Sequence, residues 1–562
     1  MIKIRKTKDD GDKKWRIGSL LLIGIIATLM FIVVTLRLAH IQFVKGEKYG
    51  QEAYNQQIEA QIISPNRGAI YDVNGEVLAQ SISVDTISLN PGKVKYSNNK
   101  KVEDEVIAEG FSEIFDITYE EMIKKLDTNS SVVVIQRKVD TEKVEKLEKW
   151  MKEKKITAGI NIDEDTKRSY PYDNLASNLL GFCGSDNTGL FGIEQRWDSI
   201  LTGTAGKIVT ATDVNGKAIS DEDIEYIPSE NGSNIYLTID TTIQGIAEKY
   251  LKQAVTENNC TNGGNVIVMN PQNGNILAMA TYPDYNLNDP RSYVNLGFTE
   301  EEWNAMESNV RTDNLYNLWN NKAVSGNYEP GSTFKLITAA IGLEEGYVKT
   351  DTAGDFYCSG TYVVDDEDID CWRTGNPHLS QTLREALQNS CNPAFMQLGQ
   401  RIGKNTLYKY FEAFGLFNSI GSSIAKSYPG TFHELEKIVP VELATTSFGQ
   451  RFTISPLHLI TAISAICNDG ILVEPRIVDK IENTDTKSVQ VTETKRVRQV
   501  ISKDTADKVK GMMQSVVEDG TGRLAKIEGY SNPDAILLGV ESRTSSPVRI
   551  PRDENGLSKI RY

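Results

Sequence analysis

Residues 17–36 form an uncharged, mostly aliphatic run. At about 20 residues it is long enough to cross a bilayer once as a helix. Lys3, Arg5, Lys6, Lys8, Lys13, Lys14 and Arg16 precede it and outnumber Asp9, Asp10 and Asp12, while Trp15 stands at the interface. Basic flanks are retained on the cytoplasmic side, so this order predicts a cytoplasmic tail over residues 1–16 and a transmembrane helix over 17–36. Everything after Arg37 is then extracytoplasmic, held to the plasma membrane by a single pass. A cleaved signal peptide is the competing reading. The run is long for one, and Leu36-Arg37-Leu38-Ala39-His40 has no small-residue cleavage site.

The chain has 562 residues, enough for two or three domains. Its net charge of −15 argues against a nucleic-acid partner. Residues 37–228 read as an elongated mixed domain. A polar helix is expected over 47–61, a turn and strand over 66–79 and a charged helix over 141–155, with glycine-rich loops and a small sheet elsewhere. Near Pro228-Ser229-Glu230-Asn231-Gly232 the composition changes, and residues 229–562 form a denser domain. There a helix over 240–257, capped by Asp240 or Thr241, is followed by strands over 265–270 and 275–280. Pro271-Gln272-Asn273-Gly274 joins those strands as a hairpin. Apolar helices are expected over 333–343, 379–402, 441–448, 456–467 and 504–517. Helices set against an antiparallel sheet make an α+β fold.

The segment Tyr328-Glu329-Pro330-Gly331-Ser332-Thr333-Phe334-Lys335 carries the chemistry. A Pro-Gly turn leads into a buried helix, which places Ser332 in its first turn and Lys335 one turn later on the same face. A serine hydroxyl needs a base, and a desolvated lysine that has lost its proton is one. Ser97 with Lys100 and Ser423 with Lys426 have the same spacing, but no apolar helix follows them. Downstream lies Ser390-Cys391-Asn392, a pattern that by itself is an ordinary cap or turn.

Together, Ser-x-x-Lys and Ser-x-Asn resemble the signature of penicillin-binding proteins and serine β-lactamases. Further segments are similar to the monofunctional, class B penicillin-binding proteins of division and sporulation. These are Arg67 to Ala79, Gly189-Leu190-Phe191-Gly192-Ile193-Glu194, Leu237-Thr238-Ile239-Asp240, Asn270-Pro271 and Ser447-Phe448-Gly449-Gln450. The resemblance implies a pedestal or dimerisation domain over 37–228 and a transpeptidase domain over 229–562. It further implies a peptidoglycan D,D-transpeptidase that binds stem peptides and β-lactams beside a glycosyltransferase partner, with no cofactor and no metal. By that resemblance Ser332 attacks the penultimate D-alanine, Lys335 takes its proton, Ser390 relays a proton to the leaving D-alanine and Asn392 holds the peptide amide.

The family's third motif, Lys-Thr-Gly or Lys-Ser-Gly, is missing after Ser531; Arg543-Thr544-Ser545 is its nearest echo. Arg543 and Thr544 are the substitute substrate-binding residues, because a guanidinium also binds a carboxylate. The family also continues with two strands and a helix beyond Tyr562, so a transpeptidase domain incomplete at its C-terminal end is expected. A non-catalytic scaffold that recruits cell-wall partners is the alternative function, and an anchored β-lactamase a more distant one. Six cysteines include no C-x-x-C pair, and Cys358 with Cys371 is read as either a disulfide or two thiols. His40, His378, His433 and His458 form no triad or H-E-x-x-H pattern and are read as surface or packing residues.

Overall fold

The computed structural model describes residues 9–45, 58–63, 65–95, 101–128, 130, 132–211, 225–421, 423–424 and 428–527. The chain folds as two compact units, residues 1–65 with 204–230, and residues 66–203 with 231–562.

In the first unit one helix covers Asp9–Ala39. The span Gly24–Gln42, most of it within this helix and shifted from the expected 17–36, is long and apolar enough to cross a membrane. Its apolar side chains face outward, Phe31 being 73 % exposed. The polar helix expected over 47–61 is not what its described end forms. Ile58–Ile63 is a strand, paired antiparallel with Gly206–Ala211, which in turn pairs with Glu225–Ile227. The alternation of Ile58, Ala60 and Ile62 suits a strand once a distant partner supplies the ladder.

The second unit is built on a sheet with the strand order Val489–Val491, Val478–Glu482, Asn234–Leu237, Ile70–Tyr71, Val77–Leu89 and Val133–Val139. Ile160–Ser169 also pairs with Val77–Leu89. Pairing is antiparallel except between Ile70–Tyr71 and Asn234–Leu237. Asp72 makes the turn between the two strands that contain Ile70 and Val77, its Oδ1 accepting from Asn74 N and Glu76 N at 2.8 Å each.

A buried ion cluster fastens this region. Arg67 Nε donates to Glu194 Oε2 at 2.8 Å and its Nη1 to Asp198 Oδ1 at 2.6 Å, while Arg168 Nε donates to Glu194 Oε1 at 2.6 Å. Glu194 is fully buried. Burial alone would raise its carboxyl pKa, but Arg168 and Arg67 outweigh that and hold it below the usual range. Around the cluster, Ile70, Leu179, Phe182 and Ile193 share one hydrophobic core with Ile235, Leu237, Tyr285 and Trp319. A separate small core (Ile87, Phe111, Met122, Leu147) gathers the helices Asp104–Ile114, Tyr119–Leu126 and Thr141–Lys154.

The helical core surrounds Lys335–Glu344. Every residue from Lys335 to Gly342 is buried, and helices Asn392–Ile402, Pro456–Cys467 and Lys503–Asp519 pack on it. Phe334 sets edge-on against Phe411 and Phe452. The helix Thr241–Glu257 starts where Asp240 Oδ1 accepts from Thr242 N and Ile243 N, and Gly264–Met269 with Ile276–Tyr282 form the expected hairpin.

The single helix expected over 379–402 is instead a strand and two helices, Leu379–Gln381, Leu383–Gln388 and Asn392–Ile402. Thr382 and Glu385 close a capping box that starts the first helix. Pro393, which has no N–H to donate, opens the second. Ser390 lies at the break with φ +48°, a left-handed conformation that costs a non-glycine residue about 1 kcal/mol or more.

Candidate active site

Gly331 at φ +58° turns the chain into the 3-10 segment Gly331–Phe334, which runs into the helix Lys335–Glu344. Ser332 is thereby exposed at the head of the helix, while Lys335 is fully buried one turn on. Lys335 Nζ lies 3.1 Å from Ser332 Oγ. The same amine lies 2.8 Å from Ser390 O, 3.0 Å from Ser390 Oγ and 2.8 Å from Asn392 Oδ1. The fold thus unites Ser332, Lys335, Ser390 and Asn392 around one nitrogen. Arg543, Thr544 and Ser545 lie outside the described residues, as does the chain after 527.

The strain at Ser390 has a geometric purpose. In this left-handed conformation both its carbonyl and its hydroxyl face the same amine. Burial then decides the charge of Lys335. Its hydrogen-bond partners among the described residues include no carboxylate, and the rings of Phe395 and Phe448 lie at 5.6 and 6.0 Å. Desolvation therefore pushes its pKa from 10.5 down to about 7. A neutral amine has two N–H bonds and one lone pair. Ser390 O and Asn392 Oδ1 are acceptors only and take the two hydrogens, which leaves the one lone pair for a single hydroxyl at a time, Ser332 or Ser390. That is the geometry of a general base beside a nucleophile.

Directly behind Ser390 the fold assembles a group that no spacing in the sequence signals. The donor atoms of Cys358, Cys371, His378 and Cys391 lie within 4.8 Å of one another. The thiols are free. His378 Nδ1 is 3.5 Å from Cys371 Sγ and 3.8 Å from Cys358 Sγ. Cys358 and Cys371 are therefore two thiols, and both lie beside the His378 imidazole. The Cys371 thiol is pushed down, chiefly by its hydrogen bond with Cys391. Two buried nitrogens at the cluster, His378 Nε2 and Gln381 Nε2, have no hydrogen-bond partner among the described residues.

Three thiols and an imidazole are the donor set of a tetrahedral structural zinc site, and these four residues could hold one. Metal analysis of the purified protein is expected to find zinc in stoichiometric amount. Its removal by a chelator should lower the melting midpoint by several degrees, because metal binding is coupled to folding. Zinc-free protein that ignores the chelator would reduce the cluster to packing.

Two family models match the chain, the Penicillin-binding Protein dimerisation domain over residues 62–237 and the Penicillin binding protein transpeptidase domain over 264–532. The chain is 35 % identical over 515 residues to stage V sporulation protein D of Bacillus subtilis, covering 91 % of this chain and 74 % of that one. It is 27 % identical over 497 residues to the peptidoglycan D,D-transpeptidase FtsI of Escherichia coli, covering 88 % and 76 %. Penicillin Binding Protein 2X from Streptococcus thermophilus shares the fold with a TM-score of 0.63 at 22 % identity, over 81 % of this chain and 66 % of that one. A peptidoglycan synthetase from Bifidobacterium adolescentis does so with a TM-score of 0.59 at 24 % identity, over 82 % of each.

Proposed function

The chain belongs to the class B penicillin-binding proteins, and on that premise we propose that it cross-links peptidoglycan stem peptides through an acyl-enzyme on Ser332. The observation that carries this reading is the four-way contact of a buried, easily neutralised Lys335 with Ser332, Ser390 and Asn392.

Ser332 Oγ attacks the carbonyl carbon of the penultimate D-alanine and its proton passes to Lys335 Nζ. Collapse of the tetrahedral intermediate breaks the C–N bond. The departing D-alanine amine takes a proton through Ser390 Oγ, which lies 3.0 Å from the same nitrogen. Asn392 orients the stem peptide. The amine of a second stem peptide then attacks the ester carbonyl, forms the cross-link and returns Ser332. A β-lactam enters by the same first step and stays as the acyl-enzyme.

The protein is a single-pass membrane protein. We place its basic N-terminus in the cytoplasm, supported by the positive flank of residues 1–16. We assign residues 37–228 to the pedestal and 229–562 to the transpeptidase domain. Uncross-linked glycan strands are its substrate, so a glycosyltransferase that makes them at the membrane is the fitting partner.

Full-length protein in detergent, incubated with a fluorescent penicillin, is expected to give a covalent band that disappears in Ser332→Ala. A folded wild-type protein that takes no label would leave the scaffold role instead.

A further inference from the structure

Residues 447–454 run alongside the nucleophile's segment and bond to it at several points. Tyr328 and Ile454 exchange both backbone hydrogen bonds at 3.0 Å, and Thr338 Oγ1 donates to Ser447 O at 2.7 Å. Between them, Gly331 N donates to Gly449 O at 2.9 Å and Arg451 N donates to Glu329 Oε1 at 2.8 Å. The last two contacts hold the turn that leads into Ser332, one on the residue before it and one three residues before.

Both contacts depend on unusual backbone. Gly449 takes φ +88°, and a Cβ there would stand 2.1 Å from Gly331 O and 2.7 Å from Gly331 C. No side chain fits that gap without moving the Gly331 peptide. Arg451 also lies in the left-handed region, at φ +64°, where a residue with a β-carbon is strained. Its side chain is tied to Glu442 at 3.1 Å, and its amide donates to Glu329. The same turn supplies Phe448, whose ring lies 6.0 Å from Lys335 Nζ. One short turn therefore touches the nucleophile's backbone and the surroundings of the base.

We propose that the turn 447–451 is a positioning element for Ser332, acting through the close approach of Gly449 to Gly331 and the hydrogen bond from Arg451 N to Glu329. Gly449 and Glu329 act through the backbone on either side of Pro330, not through the Ser332 side chain. They fix where the Gly331–Ser332 peptide, and with it the hydroxyl and the adjoining amide, meets the bound carbonyl. This inference rests on the acyl-enzyme reading.

The test is stopped-flow acylation by a chromogenic β-lactam, separating the dissociation constant of the first complex from the acylation rate constant. Glu329→Ala is expected to lower the rate constant about 10-fold and Gly449→Ala about 100-fold, the scale of a misplaced reacting group. The dissociation constant should stay unchanged in both. Glu329→Gln, which keeps an acceptor oxygen for Arg451 N, should restore most of the rate.

Wild-type rates in Glu329→Ala overturn the proposal, and so does a loss confined to the dissociation constant. Equal slowing in Glu329→Ala and Glu329→Gln also overturns it, because charge rather than the hydrogen bond would then matter. If Gly449→Ala does not fold, the Glu329 pair decides alone. Wild-type protein that is not acylated overturns the acyl-enzyme reading and this inference with it, whereas wild-type acylation with unaffected variants removes this inference only.

Discussion

Lys335→Met is expected to leave a folded protein whose acylation by a β-lactam is slower by about 10³-fold or more, the scale of losing an activating base. Methionine fills the buried volume without the amine, so the core around Phe334 and Phe395 keeps its packing. The wild-type rate should rise with pH through about 7 and level off above it, since the reactive form is the neutral amine. The variant should show no such limb.

Stability supplies an independent check. The folded-state pKa of Lys335 lies below its ordinary 10.5, so between about 7 and 10.5 the unfolded chain binds the extra proton. This lysine's contribution is therefore fully present above 10.5 and is lost as pH falls toward 7. Melting midpoints measured across that interval should rise with pH more steeply in wild type than in Lys335→Met. Equal slopes together with a retained acylation rate would remove Lys335 from its assigned role.

Glu194→Ala is expected to cost about 3–5 kcal/mol, because it leaves the guanidinium groups of Arg67 and Arg168 buried and without their shared carboxylate. Both arginines are nearly inaccessible, and Arg168 Nη2 already lacks a hydrogen-bond partner among the described residues. Water cannot substitute for the lost charge without opening the core around Ile70, Leu179 and Ile193. Glu194→Gln keeps two polar atoms but no charge and should fall between the alanine variant and wild type. Thermal or denaturant unfolding of the detergent-solubilised protein measures it. A shift no larger than that of a surface substitution would show that the acceptors the two arginines already have, among them Asp198 Oδ1 and Gly68 O, are enough to hold them.

Local patterns are readable wherever near neighbours decide them. Asp240 caps its helix as its position suggests, Pro456–Cys467 has the expected bounds, and Ser332 and Lys335 share one helix face because three residues make about one turn. The stretch 379–402 reads as one helix because its apolar content suits a helix throughout. The capping box at Thr382 and the proline at 393 are both present in the sequence and mark two starts, but the strand pairing of Leu379–Gln381 with Phe356–Cys358 is not local. Glu194 is legible only through the family resemblance, since a glutamate on its own does not announce two distant arginines.

The order of residues is sufficient to mark an apolar span near the N-terminus and to put Ser332 and Lys335 on one face, because hydropathy and helical spacing act over a few residues. The tertiary structure alone decides the rest. It turns Ser390 into a left-handed conformation that gives two groups to one amine, buries that amine deeply enough to bring its pKa to about 7, and closes Cys358, Cys371, His378 and Cys391 on one another. Each of these depends on segments far apart in the chain being packed together. Desolvation and long-range contact are properties of that packing, which residue spacing does not encode.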